Sequence, residues 1–180
     1  MAEIAVLVLA LAAIASVGAH TLLTGAPPTP TSPIVRRVVL DLVPAHLTGT
    51  VLDMGSGFGG LARRLARHCP QAQVVGYERS PLPWLISRLW QMLRPLPNLR
   101  LIRGDFRGAP LESASLIVCY LIGPIMTDLA PELAARLAPG ALAVCNTFAL
   151  PGWRAIDSRV ADDLYLSPVF LYRMPDSLPG

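Results

Sequence analysis

Asp53 stands two residues ahead of Gly55, and Gly57, Gly59 and Gly60 follow it in the run VLDMGSGFGG, residues 51–60. Strand-forming residues lead into an acid and then into a turn with few side chains. Such a turn lets a ligand approach backbone N–H groups closely, and a helix opening behind it aims its positive end at the same place. Gly55, Gly57 and Gly60 satisfy the spacing G-x-G-x-x-G, and Glu78 ends the next apolar run, where a carboxylate is suited to ribose hydroxyls. Gly104-Asp105-Phe106 closes a third run, placing an acid that suits an adenine amino group beside an aromatic ring.

The glycine pattern by itself fits a nicotinamide dinucleotide and S-adenosylmethionine equally. Asp53 favours the second: a carboxylate attracts a sulfonium and an amino group and repels a pyrophosphate. Asp105 and the form of the C-terminal tail point the same way.

These residues need a frame. From residue 50 the chain alternates. Strands are predicted at 50–54, 73–77, 99–103, 115–120 and 141–148, with helices at 58–68, 81–94 and 126–137 between them. Leu61, Leu65 and Cys69 share one face of the first helix; Leu82, Leu85, Ile86, Leu89 and Leu93 form the apolar stripe expected to cover the sheet in the second, whose Trp84, Trp90, Arg88 and Arg94 also fit a helix grazing a membrane surface. Near-continuous apolar strands such as SLIVCYLI suit a sheet covered on both faces. Strand–helix–strand alternation predicts an α/β fold, a Rossmann-like doubly wound and mostly parallel sheet with its ligand at the strands' carboxyl ends. The tail breaks the pattern: RAIDSRVADD and SPVFLYRM read as an antiparallel hairpin that brings the sheet to seven strands.

The segments VLDMGSGFGG, VVGYERS, RGDF and LAPGALAVC together resemble the successive motifs of class I S-adenosylmethionine-dependent methyltransferases, over roughly residues 33–173. That resemblance implies a cofactor-binding set of Asp53, Gly55, Ser56, Gly57, Gly59, Glu78, Arg79, Asp105 and Phe106. It places Tyr120, at the end of the fourth strand, over the transferred methyl group as a catalytic positioning or lone-pair-accepting residue. Asn146, Phe148 and Trp153 flank the end of the fifth strand as candidates for the acceptor channel. No metal is called for. A narrower likeness is to the membrane-anchored ATP synthase c-subunit lysine methyltransferase family and its archaeal protein-lysine methyltransferase relatives. It is carried by the apolar N-terminal segment, Pro28-Thr29-Pro30, GYERSPLPWLISRLW, YLIGPIMTDLAPELAARLAPG and NTFALPGW. Phe58 and Gly60 depart from that family, which commonly has an acid and a basic residue there. YLIGP replaces the Asn-Pro-Pro-Tyr signature of DNA-adenine, rRNA-adenine and glutamine methyltransferases.

Residues 4–19 carry no charge, and with His20–Leu23 they reach the roughly 20 residues that span a bilayer. Glu3 stands where a signal peptide would be basic, so residues 1–23 are expected to be an uncleaved transmembrane anchor, although Val17-Gly18-Ala19 also fits a cleavage site. Arg36 and Arg37 follow the span, which puts the catalytic domain on the cytoplasmic side. Residues 24–33 form a Pro/Thr-rich linker, and 34–180 the methyltransferase domain, which opens with a helix capped by Ser32 and started by Pro33. All fifteen basic residues are arginine. Arg36, Arg37, Arg63, Arg64 and Arg67 read as solvated helix faces, and no basic run suggests a nucleic-acid partner. Cys69, Cys119 and Cys145 fit no metal or redox spacing and are expected reduced. The expected partner is a protein or lipid methyl acceptor at the membrane.

Overall fold

The computed structural model describes residues 1, 4, 7 and 30–178. Nearly all of the expected anchor, and residues 24–29 of the linker, lie outside the described residues. Among those described, no helix is long and apolar enough to cross a membrane.

Helix α1 (Pro33–Leu42) begins as expected, with the Ser32 hydroxyl accepting the Val35 N–H at 3.2 Å and proline at the first position. The chain then runs β1 (Gly49–Met54), α2 (Gly60–His68), β2 (Ala72–Glu78), α3 (Pro81–Leu93), β3 (Leu99–Arg103), two 3-10 turns (Phe106–Gly108 and Leu111–Ser113), β4 (Ala114–Cys119), α4 (Gly123–Arg136), β5 (Leu142–Asn146), β6 (Asp157–Val160) and β7 (Pro168–Arg173). The seven strands form one sheet in the order β3-β2-β1-β4-β5-β7-β6. Strands β1 to β5 pair in parallel, and β7 is antiparallel to both β5 and β6. Strand order reverses between β1 and β4, which opens a crevice at their carboxyl ends.

Val35, Val39, Leu42, Leu61, Leu65 and Cys69 of α1 and α2 pack over one face of the sheet. Met126, Leu129, Ala130 and Leu133 of α4 pack over the other. The cysteines are free and buried. Helix α4 starts three residues before the predicted position because Pro124 in its first turn, with φ already set for a helix, and the extended Ile122 ahead of it make a good helix opening. Strand β5 stops at Asn146, short of the predicted 148, because Thr147 turns to φ 68°.

Helix α3 departs from its predicted packing. The buried side chains are Pro83 and Ser87, whereas Leu85, Leu89 and Leu93 of the expected stripe face solvent. Close approach explains this. A Cβ built on Gly59 would lie 3.0 Å from the Ser87 Cβ, so the helix crosses α2 where only a small residue fits. Two arginines also leave their expected place. Arg63 is buried, donating to Gln91 Oε1 at 2.8 Å and to the Arg94 carbonyl at 2.6 Å, which ties α2 to the end of α3. Arg36 turns into the crevice. We expect Ser87→Leu to lose about 1–3 kcal/mol through overpacking, and Leu85→Ser less than about 0.5 kcal/mol, in urea unfolding followed by circular dichroism. Equal losses would place the wrong face against the sheet.

Candidate active site

The crevice holds a cavity of about 590 Å³, within the range of small-molecule sites. Its floor is the turn after β1. Gly55, Gly57 and Gly59 have φ of 79°, 53° and 74°, the left-handed region where a Cβ is strained. The Gly55 and Ser56 N–H groups both donate to the Tyr77 carbonyl, at 3.0 and 2.8 Å, so the turn is fastened to β2. Gly76 makes room for it: a Cβ there would meet Ser56 at 2.9 Å.

Glu78 has two tasks. Its carboxylate accepts the Gly57 N–H at 2.8 Å and the Ser80 N–H at 2.7 Å, which locks the glycine turn to the start of α3. A carboxylate accepts about four hydrogen bonds, so capacity remains for a pair of ribose hydroxyls in the cavity that Glu78 lines.

Asp53 is 3 % exposed, and its Oδ2 has no hydrogen-bond partner. Desolvation, and then the nearby Glu78 charge, push its pKa up to about 7, against a lowering hydrogen bond from the Ala62 amide. The Ser56 hydroxyl is also buried and unpartnered. An unsatisfied buried carboxylate is costly unless a ligand completes it. A cationic amino group and sulfonium would do so.

Of the residues expected from sequence, Asp53, Gly55, Ser56, Gly57, Glu78, Arg79, Phe106, Tyr120 and Phe148 line this cavity. Four others stand outside the lining. Gly59 caps α2 and packs on Ser87. Asp105 caps the 3-10 turn through the Arg107 N–H at 3.0 Å and pairs with Arg79 and Arg107 at 3.5 and 3.6 Å. Asn146 is 2 % exposed and accepts the Thr147 hydroxyl at 3.0 Å. Trp153 packs edge-on against Tyr172, with ring centroids 5.8 Å apart, partly buried against the cluster that includes α4.

Other lining residues went unseen in the sequence. Pro30, Thr31 and Arg36 reach the cavity from the N-terminal side, and Leu121, Ile122 and Ile125 from the start of α4. Arg36 sits over the opening of α2, with a guanidinium nitrogen 2.7 Å from where a Gly60 Cβ would stand. Its Nε is buried without a partner. Burial, then repulsion from Arg64, lowers its pKa. Gly60 thus leaves room for a cation delivered from another helix. No local spacing announces it, because residue 36 precedes the sheet.

The motif order, the strand order and this site meet in one family comparison. The family of the ANTKMT methyltransferase domain matches residues 53–157. The chain belongs to that family. It is a class I S-adenosylmethionine-dependent methyltransferase, and S-adenosylmethionine is its cofactor. The fold agrees with the RNA methyltransferase of Salinibacter ruber, solved with S-adenosyl-L-homocysteine, at TM-score 0.72 and 26% identity, covering 84% of this chain and 97% of that one. A protein-lysine N-methyltransferase of Saccharolobus islandicus is 24% identical over 153 residues, 81% of this chain and 92% of the relative. A trans-aconitate 2-methyltransferase of Azoarcus sp. is 32% identical over 108 residues; the match spans 58% of this chain and only 41% of that enzyme.

The cradle fits this cofactor by its own chemistry: a buried unpaired acid, a glycine turn in left-handed conformation, and a carboxylate braced at the end of β2. When bound, S-adenosylmethionine supplies an electrophilic methyl group. What the chain must add is alignment and the exclusion of water. With the cofactor bound, Asp53 would hold the amino group, Glu78 the ribose, and Phe106 would lie beside the base. Tyr120, Leu121, Ile122, Ile125 and Phe148 make the remaining wall apolar and aromatic.

Proposed function

We propose that this methyltransferase is tethered to a membrane by residues 4–23, with its catalytic domain on the cytoplasmic side, and methylates a lysine of a membrane or membrane-associated protein. The observation that carries the acceptor chemistry is the apolar wall of Tyr120, Ile122, Ile125 and Phe148 beside the cradle. A lysine amine in water, which titrates near about 10.4, must lose a proton before it attacks, and a desolvating pocket makes that loss easier. Tyr120, in the cavity lining, would orient the amine through its hydroxyl. The Saccharolobus relative, named a protein-lysine methyltransferase, supports the same choice.

The adjoining β6–β7 loop supports an acceptor with an apolar surface. The Thr147 N–H donates to the Pro168 carbonyl at 2.7 Å, which sets the β6–β7 loop beside the segment carrying Phe148. That loop is tied by Asp163, which accepts from the Ser167 N–H and hydroxyl, both at 2.8 Å. It nevertheless presents Leu164, Tyr165 and Leu166 to solvent, Leu166 at φ 48°. The same lip suits a lipid, so methylation of a lipid headgroup is the second reading.

The test is to incubate the purified protein with methyl-labelled S-adenosylmethionine and membranes from a strain lacking it, then separate protein, lipid and small-molecule label. Label in a protein band that hydrolyses to methyl-lysine is expected, reduced at least about tenfold by Tyr120→Phe, the scale of one positioned group. Label in lipid would overturn the acceptor. Bound cofactor with no labelled fraction would indicate a non-catalytic assembly protein. Deletion of residues 1–24 should abolish labelling of membrane acceptors in cells; undiminished labelling would remove the tether from the proposal.

A further inference from the structure

The outward stripe of α3 has no partner among the described residues. Leu85, Leu89 and Met92 are spaced four and three residues apart, so they share one side of the helix. They are 58%, 54% and 74% exposed, with Leu93 at 66% and Trp90 at 47% beside them. Soluble surfaces rarely leave so many large apolar side chains contiguous.

The surrounding charge is one-sided. Between Met54 and Gly104 the single acid is Glu78, which is buried in the site, whereas Arg64, Arg67, Arg88 and Arg94 are exposed on α2 and α3. The Arg94 guanidinium lies over the Trp90 ring at 6.0 Å from its centroid. An apolar stripe with tryptophan at its border, flanked by arginines and free of acids, matches a helix lying in the headgroup region of an anionic bilayer.

Chain geometry agrees. Helices α1, α2 and α3 lie on one side of the sheet, with α2 packed between the other two. The continuous described stretch starts at Pro30, close before α1, and in the sequence it is preceded by the short linker and the apolar segment 4–23. Six extended linker residues reach about 20 Å, comparable to two helix–helix spacings of 8–10 Å. A span leaving from α1 therefore sets the bilayer within reach of α3.

We propose that the outward face of α3, centred on Leu85, Leu89 and Met92 and flanked by Arg88 and Arg94, lies on the surface of an anionic membrane and fixes the orientation of the catalytic domain there. This rests on the membrane tether proposed above. Tether and face then make two points of attachment, and the domain is held in one orientation instead of swinging on its linker. Nucleic acid is the less suitable occupant, since Leu85, Leu89 and Met92 offer a phosphate backbone nothing.

The three native cysteines are buried, so an introduced surface cysteine takes a label selectively. Full-length Met92→Cys and, as a control on the opposite layer, Ser113→Cys are labelled with an environment-sensitive fluorophore and reconstituted into phosphatidylcholine–phosphatidylglycerol vesicles. We expect the label at 92 to be quenched several-fold more by brominated lipid than by aqueous iodide, with the reverse at 113. Arg88→Glu with Arg94→Glu should cut the lipid quenching at 92 several-fold while cofactor affinity stays unchanged.

Iodide access at 92 in protein that sediments with the vesicles would overturn the α3 face and leave the tether standing. Shielding from both quenchers would overturn it in favour of a protein cover, either a second copy or the N-terminal segment. Shielding by added RNA, with none by vesicles, would overturn it in favour of nucleic acid. Failure to sediment with vesicles at all would overturn both the face and the tether.

Discussion

Glu78→Ala is expected to weaken S-adenosylmethionine binding by at least about 100-fold. Two contributions add. Hydrogen bonds to a charged group are worth about 1.5–3 kcal/mol each, and two ribose hydroxyls would lose theirs. The Gly57 and Ser80 amides would also lose the acceptor that holds them at 2.8 and 2.7 Å, so the glycine turn would no longer be locked to α3. About 2.7 kcal/mol already corresponds to 100-fold. The hydrophobic clusters above and below the sheet do not include Glu78, and the variant should fold. Calorimetric titration with cofactor checks this. An affinity within threefold of wild type, in a variant with native circular dichroism, would remove Glu78 from the binding site.

Cofactor binding is also expected to depend on pH through Asp53. Burial and the Glu78 charge push its pKa up to about 7. The native state therefore binds more protons than the unfolded chain between about pH 4 and 7, and without ligand Asp53 makes the fold less stable as pH rises through that window. A cationic ligand reverses the preference, because it requires the ionised form. Binding should release a proton near pH 7, and affinity should fall about tenfold from pH 8 to pH 6 as the ionised fraction falls. Asp53→Asn should flatten this dependence and lower affinity at pH 8 by about ten- to a hundredfold, the worth of a buried charged hydrogen bond. A wild-type profile that Asp53→Asn does not change would sever the acid from the cofactor.

Both predictions rest on residues that are legible in the sequence. Asp53, the glycines and Glu78 are close to one another in sequence or end neighbouring strands, and chemistry tied to a strand end survives any detail of packing. The alternation of apolar runs with helical stripes fixed the parallel sheet for the same reason: period and length are local properties. Asp105 is equally visible in the sequence, but its pairing with Arg79 and Arg107 is not, because which group a carboxylate meets is decided by side-chain direction. Trp153 and Asn146 also stand outside the cavity lining, Trp153 packed edge-on against Tyr172 and Asn146 buried at the end of β5.

Taken alone, the amino-acid sequence determined the strand–helix order, the place of the ligand crevice, and a turn suited to a cationic nucleotide-like cofactor, because these follow from residue type and short-range spacing. Only the tertiary structure decided that Arg36 reaches the site from α1, and that α3 packs through Ser87 against Gly59 at the start of α2 and turns Leu85, Leu89 and Leu93 outward. A helical stripe read from sequence shows that one side is apolar; which side faces the sheet depends on how closely the neighbour can approach. Here Gly59 and Ser87 set that distance, and the leucines had to go the other way.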